Sequence, residues 1–451
     1  MLTERLATFV AEHSAGDIPD DAYDAARDAI IDTLGVALAG SREPVADIAA
    51  SWISENSTNS TATVWGRSFK ANSADAAFAN GISAHALDFD DSLPSGRGHI
   101  SACLVPTVLT LGETLASSGE DVLAAYVVGL EVAGAIGRIL GPGHQKRGWH
   151  PTATVGTLAA AAAAARLSNL DVKDMTRALG MAASQVGGLA RNFGTMTKSF
   201  HVGRAAQTAV VFTNLIKKGF TADEAIFDGA GNILEIYAGG DGEPIEDVIS
   251  SLCDPWTILS PGNCVKRWPC CYSGHRTAAA LIELIEQHDI TADNVTDVSI
   301  GFLPGGDASL LSTNPQTALE GKFSIEYIVA ALLLDGTLKM STFTDEMVQR
   351  PAARRLMQRV HRVYIPDESF FSGIAGYNDI TVTTKYEQFE VREDRVPGSH
   401  AWPLSKKDHD AKFSDCASPV LGENRTAELL KQTKIVRGIR DIHALVEATV
   451  P

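Results

Sequence analysis

Apolar positions recur at helical spacing through most of the first 260 residues. Ala22, Ala26, Ile30, Leu34 and Leu38 form one stripe, entered after the start signal Pro19-Asp20-Asp21 and closed by Gly40. The same period predicts helices over about 73–89, 102–117, 120–139, 152–167, 173–190 and 201–218, parted by Gly-, Pro- or Asp-rich breaks. In LAAAAAAARL (158–167) seven alanines replace bulky side chains, so this segment is expected as a central helix that its neighbours approach closely.

After about residue 265 the period changes. NVTDVSIGFL (294–303) alternates as a strand, and YNDITVTTKYEQFEVRE (377–393) reads as two strands around a turn. Helical stretches lie between them at 322–336 and 344–360. From about 404 the tail returns to helix in RTAELLKQTKIV and IRDIHALVEATV. The pattern predicts a mainly α protein with a large all-α helical domain, 1–265 completed by 404–451, and an inserted α+β domain, 266–403. A cleft between two such domains is the default place for a small ligand.

Length agrees with two domains, since 451 residues exceed the roughly 250–300 at which single cores stop growing. A net charge of −17, from 55 acidic and 38 basic residues, argues against nucleic acid or an anionic membrane as partner. The N-terminal stretch MLTERLATFVAEHSAG lacks the basic-then-apolar order of a signal peptide. Glu131 and Arg166 interrupt the two most apolar runs before either reaches about 18 residues, so no transmembrane span is expected. Six cysteines without a C-x-x-C pair read as free thiols in a reducing cytoplasm.

Five stretches place ionisable groups at helix ends. In ALDFDDSLPSGRGHIS (86–101), Asp88, Asp90 and Asp91 crowd a helix C-terminus, where carboxylates oppose the macrodipole, and His99 precedes the next helix. An acid/base site, a metal site and a polar helix end all fit. GPGHQKRGWHPTATVGT (141–157) carries His144, Lys146, Arg147 and His150 before the alanine helix; Trp149 after Gly148 breaks the phosphate-loop pattern. In NFGTMTKSFHVGRAAQ (192–207), Lys198, His201 and Arg204 stand three apart, a row suited to a dicarboxylate or to a solvated helix face. KRWPCCYSGHRTAAAL (266–281) offers Lys266, Arg267, Cys271 and His275; its adjacent cysteines lack the spacing of a zinc site. EGKFSIEYIV (320–329) sets Lys322 and Tyr327 at a helix start, with Tyr327 either a core residue or a hydroxyl reaching the cleft.

Taken in order, HALDFDD, a histidine about ten residues on, GWHPTATVGT, TKSFHVGRAA, KRWPCCYSGH and KFSIEY…LLLDG resemble the MmgE/PrpD family over roughly residues 20–400. That family includes 2-methylcitrate dehydratases, cis-aconitate decarboxylases and iminodisuccinate epimerases. The resemblance implies a large helical domain with a smaller α+β lid domain, a homodimer, and no required cofactor or metal. It implies that Asp88, His99, His150 and Lys198 are catalytic, with Tyr327 and the Cys271–His275 turn supplied by the smaller domain, and that His201, Lys266 and Arg267 bind substrate. Two departures stand out: the loop SLPSGRGHIS shifts His99 by about one position, and Cys271 stands where the decarboxylase pattern has a histidine.

All three family reactions build electron density on a carbon beside a carboxylate, which calls for a positioned base and a stabilising cation. Lys198 suits the cation, His99 and His150 the proton transfers, and Asp88 an orienting or hydroxyl-binding role; Asp90 and Asp91 are expected to be structural. The leading expectation is a cytoplasmic hydro-lyase that dehydrates a 2-methylcitrate-like hydroxy acid. Epimerisation of an iminodisuccinate-like dicarboxylate, cis-aconitate-type decarboxylation and non-catalytic polycarboxylate binding are the alternatives.

Overall fold

A computed structural model describes residues 1–57, 60–366 and 376–451. The chain divides into two compact units, one of Met1–Ala190, Met196–Asn263 and Ser405–Pro451, the other of Arg191–Thr195 and Cys264–Leu404.

The first unit holds helices α1 (Leu2–Glu12), α2 (Asp20–Gly40) and α3 (Pro44–Asn56), a two-stranded ribbon of β1 (Ala62–Thr63) and β2 (Lys70–Ala71), and α4 (Ser73–His85). It continues with α5 (Ile100–Leu115), α6 (Gly119–Lys146), α7 (Pro151–Leu167), α8 (Val172–Ala183) and α9 (Thr197–Ile216). Three starts, those of α4, α6 and α8, carry an ordinary cap: Asn72, Ser118 and Asp171 accept from the backbone N–H three residues on. Helices α5 and α7 differ, because their cap positions are His99 and His150 and neither imidazole bonds the helix start. These two side chains are spent elsewhere.

The alanine helix α7 is central as expected, with α5, α6, α8 and α9 packed around it. Small residues make this possible: a Cβ on Gly129 of α6 would stand 2.9 Å from Ala163 Cβ. Helix α6 alone, among the described residues, is long and apolar enough to cross a membrane, and 94% of that apolar window is buried inside the protein. Its Glu131 is satisfied there by the backbone N–H groups of Cys253 and Thr257. It also outruns the expected end at 139, because Gly141 (φ 68°) kinks the chain and a further turn follows.

In the second unit a four-stranded sheet runs in the order β4-β3-β5-β6. Its strands are β3 (Val295–Phe302), β4 (Val360–Tyr364), β5 (Asn378–Thr384) and β6 (Gln388–Glu393). Strands β3 and β4 are parallel and the other pairs antiparallel. Helices His275–Gln287 and Ile325–Asp335 share the unit's apolar core with the sheet.

The helix expected at 344–360 is corrected. Proline 351 keeps Arg350 out of the helical region (ψ 134°), so two short helices, Asp345–Gln349 and Pro351–Met357, replace it and Val360 already opens β4. A helix at Lys406–Leu421 that apolar period does not reveal is set instead by a Ser405–Asp408 capping box, and it packs on α2.

Candidate active site

The site grows from one close crossing in the first unit. Helices α4 and α9 meet at glycines: a Cβ on Gly81 would lie 2.9 Å from Gly203 Cα, and one on Gly203 would lie 2.5 Å from the Phe78 carbonyl. With nothing between them, the last residue of α4, His85, faces the first turn of α9, and Ser199 Oγ donates to the His85 carbonyl at 3.1 Å. Three residues past the helix end, Asp88 adopts φ 53°, a left-handed conformation that Asp tolerates better than most side chains. That turn aims its carboxylate at Lys198.

Lys198 Nζ donates to Asp88 Oδ1 at 2.6 Å and to His85 Nε2 at 2.7 Å, all three side chains being buried. On the far side of the ring, His85 Nδ1 lies 2.8 and 3.0 Å from the two oxygens of Asp90, which is fully buried. Burial is the main force on His85 and, with the nearby Lys198 charge against the pull of Asp90, brings its pKa down to about 4. Burial alone would push Asp90 up, but His85 and His99 hold it well below the usual carboxylate range.

His99 is brought in by the loop. Leu93 and Gly98 pair across a tight hairpin, Gly98 fits against Thr152 at the start of α7, and the His99 N–H donates to Thr152 Oγ1 at 3.0 Å. Its Nδ1 donates to the Asp91 carbonyl at 2.8 Å, a group that only accepts, so in the neutral ring the lone pair sits on Nε2. That Nε2 is 3.7 Å from Asp88 Oδ1, and Asp90 stands 3.4 Å from Nδ1. The side chain keeps 13% of its surface exposed, whereas those of His85 and Asp90 keep none.

A second imidazole pair lies beside this set. His150 Nδ1 and His201 Nδ1 are 3.1 Å apart, so one donates and the other accepts. The His150 ring also stacks 6.2 Å from that of His85. Burial pushes both pKa values down, His150 well below its ordinary value, and Lys198 pushes each the same way. Behind the loop, Ser101 Oγ donates to Asp91 and shares a 2.7 Å bond with Tyr126 Oη. Burial, reinforced by Asp32, raises Asp91 well above its usual range.

Of the residues expected from sequence, Asp88, His99, His150, Lys198 and His201 thus converge. Arg204 does not join the row that its spacing suggests: it is exposed and bonds Gln207 along its own helix. His144 holds the fold together: its Nδ1 donates to the Tyr237 carbonyl at 2.8 Å and its Nε2 lies 2.7 Å from Thr154 Oγ1. In the second unit Tyr327 is fully buried and its hydroxyl donates to the Thr342 carbonyl at 2.6 Å. Lys266, Cys271 and His275 are buried in that unit, His275 with its ring edge against Trp268 and Nε2 3.3 Å from the Cys270 carbonyl. Arg267 is exposed, with its guanidinium 5.6 Å over the Trp268 ring. Cys264, Cys270 and Cys271 form no disulfide.

Sequence reasoning passed over His85 as a site residue. His85 ends an apolar helix and looked like part of it; the signal available was its place five residues before Asp90, one turn from the aspartate cluster. One oxygen or nitrogen from each of His85, Asp88, Asp90 and His99 lies within 4.8 Å of the others, close enough to share a cation. The Lys198 ammonium already bonds two of the four.

The MmgE/PrpD N-terminal domain matches residues 4–245 and the MmgE/PrpD C-terminal domain residues 268–434. The chain is similar to cis-aconitate decarboxylase of Homo sapiens, 28% identical over 98% of this chain and 93% of that protein. It is equally similar, at 28%, to cis-aconitate decarboxylase of Mus musculus, over 98% and 92%. A cis-aconitate decarboxylase-like protein, oryM, of Aspergillus oryzae is 26% identical over 99% and 96%. With both of its halves matched in order, this chain belongs to the MmgE/PrpD family.

Proposed function

We propose that the protein is a lyase acting on a small polycarboxylate through an anion at a carbon beside a carboxylate group. One observation carries this reading: a buried ammonium, Lys198, fixed at 2.6 Å by Asp88 beside an imidazole whose lone pair is on Nε2. In a buried setting Lys198 attracts a substrate carboxylate and stabilises the charge that spreads onto it as the anion forms. His99, the more accessible imidazole, exchanges the proton at Nε2, and Asp88 and Asp90 offset the charge of the imidazolium that then exists.

Decarboxylation of a cis-aconitate-like acid is the first reaction to test, because cis-aconitate decarboxylases are similar along nearly the whole chain. The bond to the leaving carboxylate breaks and CO2 departs, the electron pair left behind moves toward a remaining carboxylate, and His99, having first taken a proton from solvent at Nε2, gives that proton to carbon. Dehydration of a 2-methylcitrate-like acid is favoured by a separate feature. It needs one group to take a proton from carbon and another to give one to the departing hydroxyl, and the His150–His201 pair stands ready beside His99. Protein incubated separately with cis-aconitate, 2-methylcitrate, citrate and iminodisuccinate and followed by proton NMR distinguishes loss of CO2, loss of water and epimerisation. Conversion of none of them, with no exchange of solvent deuterium into carbon, would refute the lyase reading.

A further inference from the structure

We propose that His85 and Asp90 form a positioning pair that fixes the direction of the hydrogen bond at Lys198, and that neither transfers a proton to substrate. The proposal rests on the reading that Lys198 works at the reacting centre.

An ammonium has only donors, so at 2.7 Å the His85 Nε2 must accept and the ring proton must sit on Nδ1. Asp90 is what holds it there. Its two oxygens straddle Nδ1 at 2.8 and 3.0 Å, and it is buried with no solvent to take its place. Both ring nitrogens of His85 are therefore committed within the protein, unlike the Nε2 of His99. The opposite tautomer would set an imidazole N–H against an ammonium N–H at the same separation, and Lys198 would have to swing off its line to Asp88. Burial that keeps His85 uncharged serves the same end, since an imidazolium would repel Lys198. A carboxylate that holds an imidazole in one tautomer is a known way to orient catalytic groups, and here the group oriented is a lysine.

Two measurements test this. Nitrogen-15 NMR of the imidazoles in the resting protein is expected to show His85 as the Nδ1–H form; an Nε2–H ring would overturn the proposal whatever the activity. In kinetics, Asp90→Asn supplies a carboxamide that can donate to Nδ1 and so reverse the ring; kcat is expected to fall about 10- to 100-fold. In a His85→Gln background there is no ring to reverse, and the same Asp90→Asn change is expected to cost no more than about threefold. Equal losses in both backgrounds would show Asp90 acting only through folding and would overturn the pair. The NMR result stands apart from turnover, so a protein that converts no polycarboxylate would refute the lyase reading while the tautomer still decides this one.

Discussion

The first unit buries two lysine–aspartate pairs of nearly equal length, Lys198–Asp88 at 2.6 Å and Lys412–Asp32 at 2.7 Å. Their surroundings differ. Lys412 donates also to the Phe89 carbonyl at 2.8 Å and lies 4.0 Å over the Phe89 ring, so its partners are a carboxylate, a backbone group and an aromatic face. The second partner of Lys198 is a neutral imidazole, with three more histidines within one or two contacts. A buried ion pair is on its own a folding device, costly to break and close to neutral to replace whole. Imidazoles placed to take or give a proton beside the ammonium are what make one of these pairs chemically useful.

The sharpest way to break the comparison is to remove each ammonium. Lys198→Met is expected to lower kcat by about two to four orders of magnitude, with circular dichroism unchanged. Lys412→Met is expected to keep kcat per folded molecule and to cost about 3–5 kcal/mol in urea denaturation, because it strands Asp32. An exchange of these outcomes would invert the assignment.

The crossing that serves only the first pair gives a smaller effect. Gly203→Ala places a methyl 2.5 Å from the Phe78 carbonyl and must push α4 and α9 apart, at about 1–3 kcal/mol of stability. Turnover is expected to fall further than folding does, since His85 and Lys198 sit at that crossing. A variant that loses stability but keeps kcat would contradict this.

The smallest effect is one of pH. His85, His150 and His201 bind protons less readily folded than unfolded, so stability present above about pH 6.5 is lost as the pH falls toward 4. Asp32 and Asp91, both raised mainly by burial, work the other way, losing stability as the pH rises above their unfolded value. His150→Asn is expected to remove about one proton from the slope between pH 6.5 and 4.5, read from urea midpoints; an unchanged slope would mean His150 is not held neutral.

Much of this was legible beforehand where one physical signal dominates. Apolar period marks α2 and α4 to α9, and alternation marks β3, β5 and β6, because each buries one face of a regular element. Strand β4 was not legible: five residues directly after a helix offer too little alternation to compete with helical period. Asp88, His99, His150, Lys198 and His201 were legible through the order of their motifs, while their convergence depends on Gly81 and Gly203, whose need for closeness no local pattern reveals. His85 was hidden because one imidazole at the end of a buried helix reads as core. The Tyr327 hydroxyl bonds the Thr342 carbonyl, a partner that no local pattern reveals and only packing supplies.

The central claim is that the Lys198 pair, and not its structural counterpart, runs a lyase reaction on a polycarboxylate. Its most direct test is proton NMR of cis-aconitate and 2-methylcitrate with wild type, Lys198→Met and Lys412→Met at equal folded concentrations. The account predicts conversion of one of these acids by wild type and by Lys412→Met, and almost none by Lys198→Met. Equal conversion by all three, or none by wild type, would contradict it.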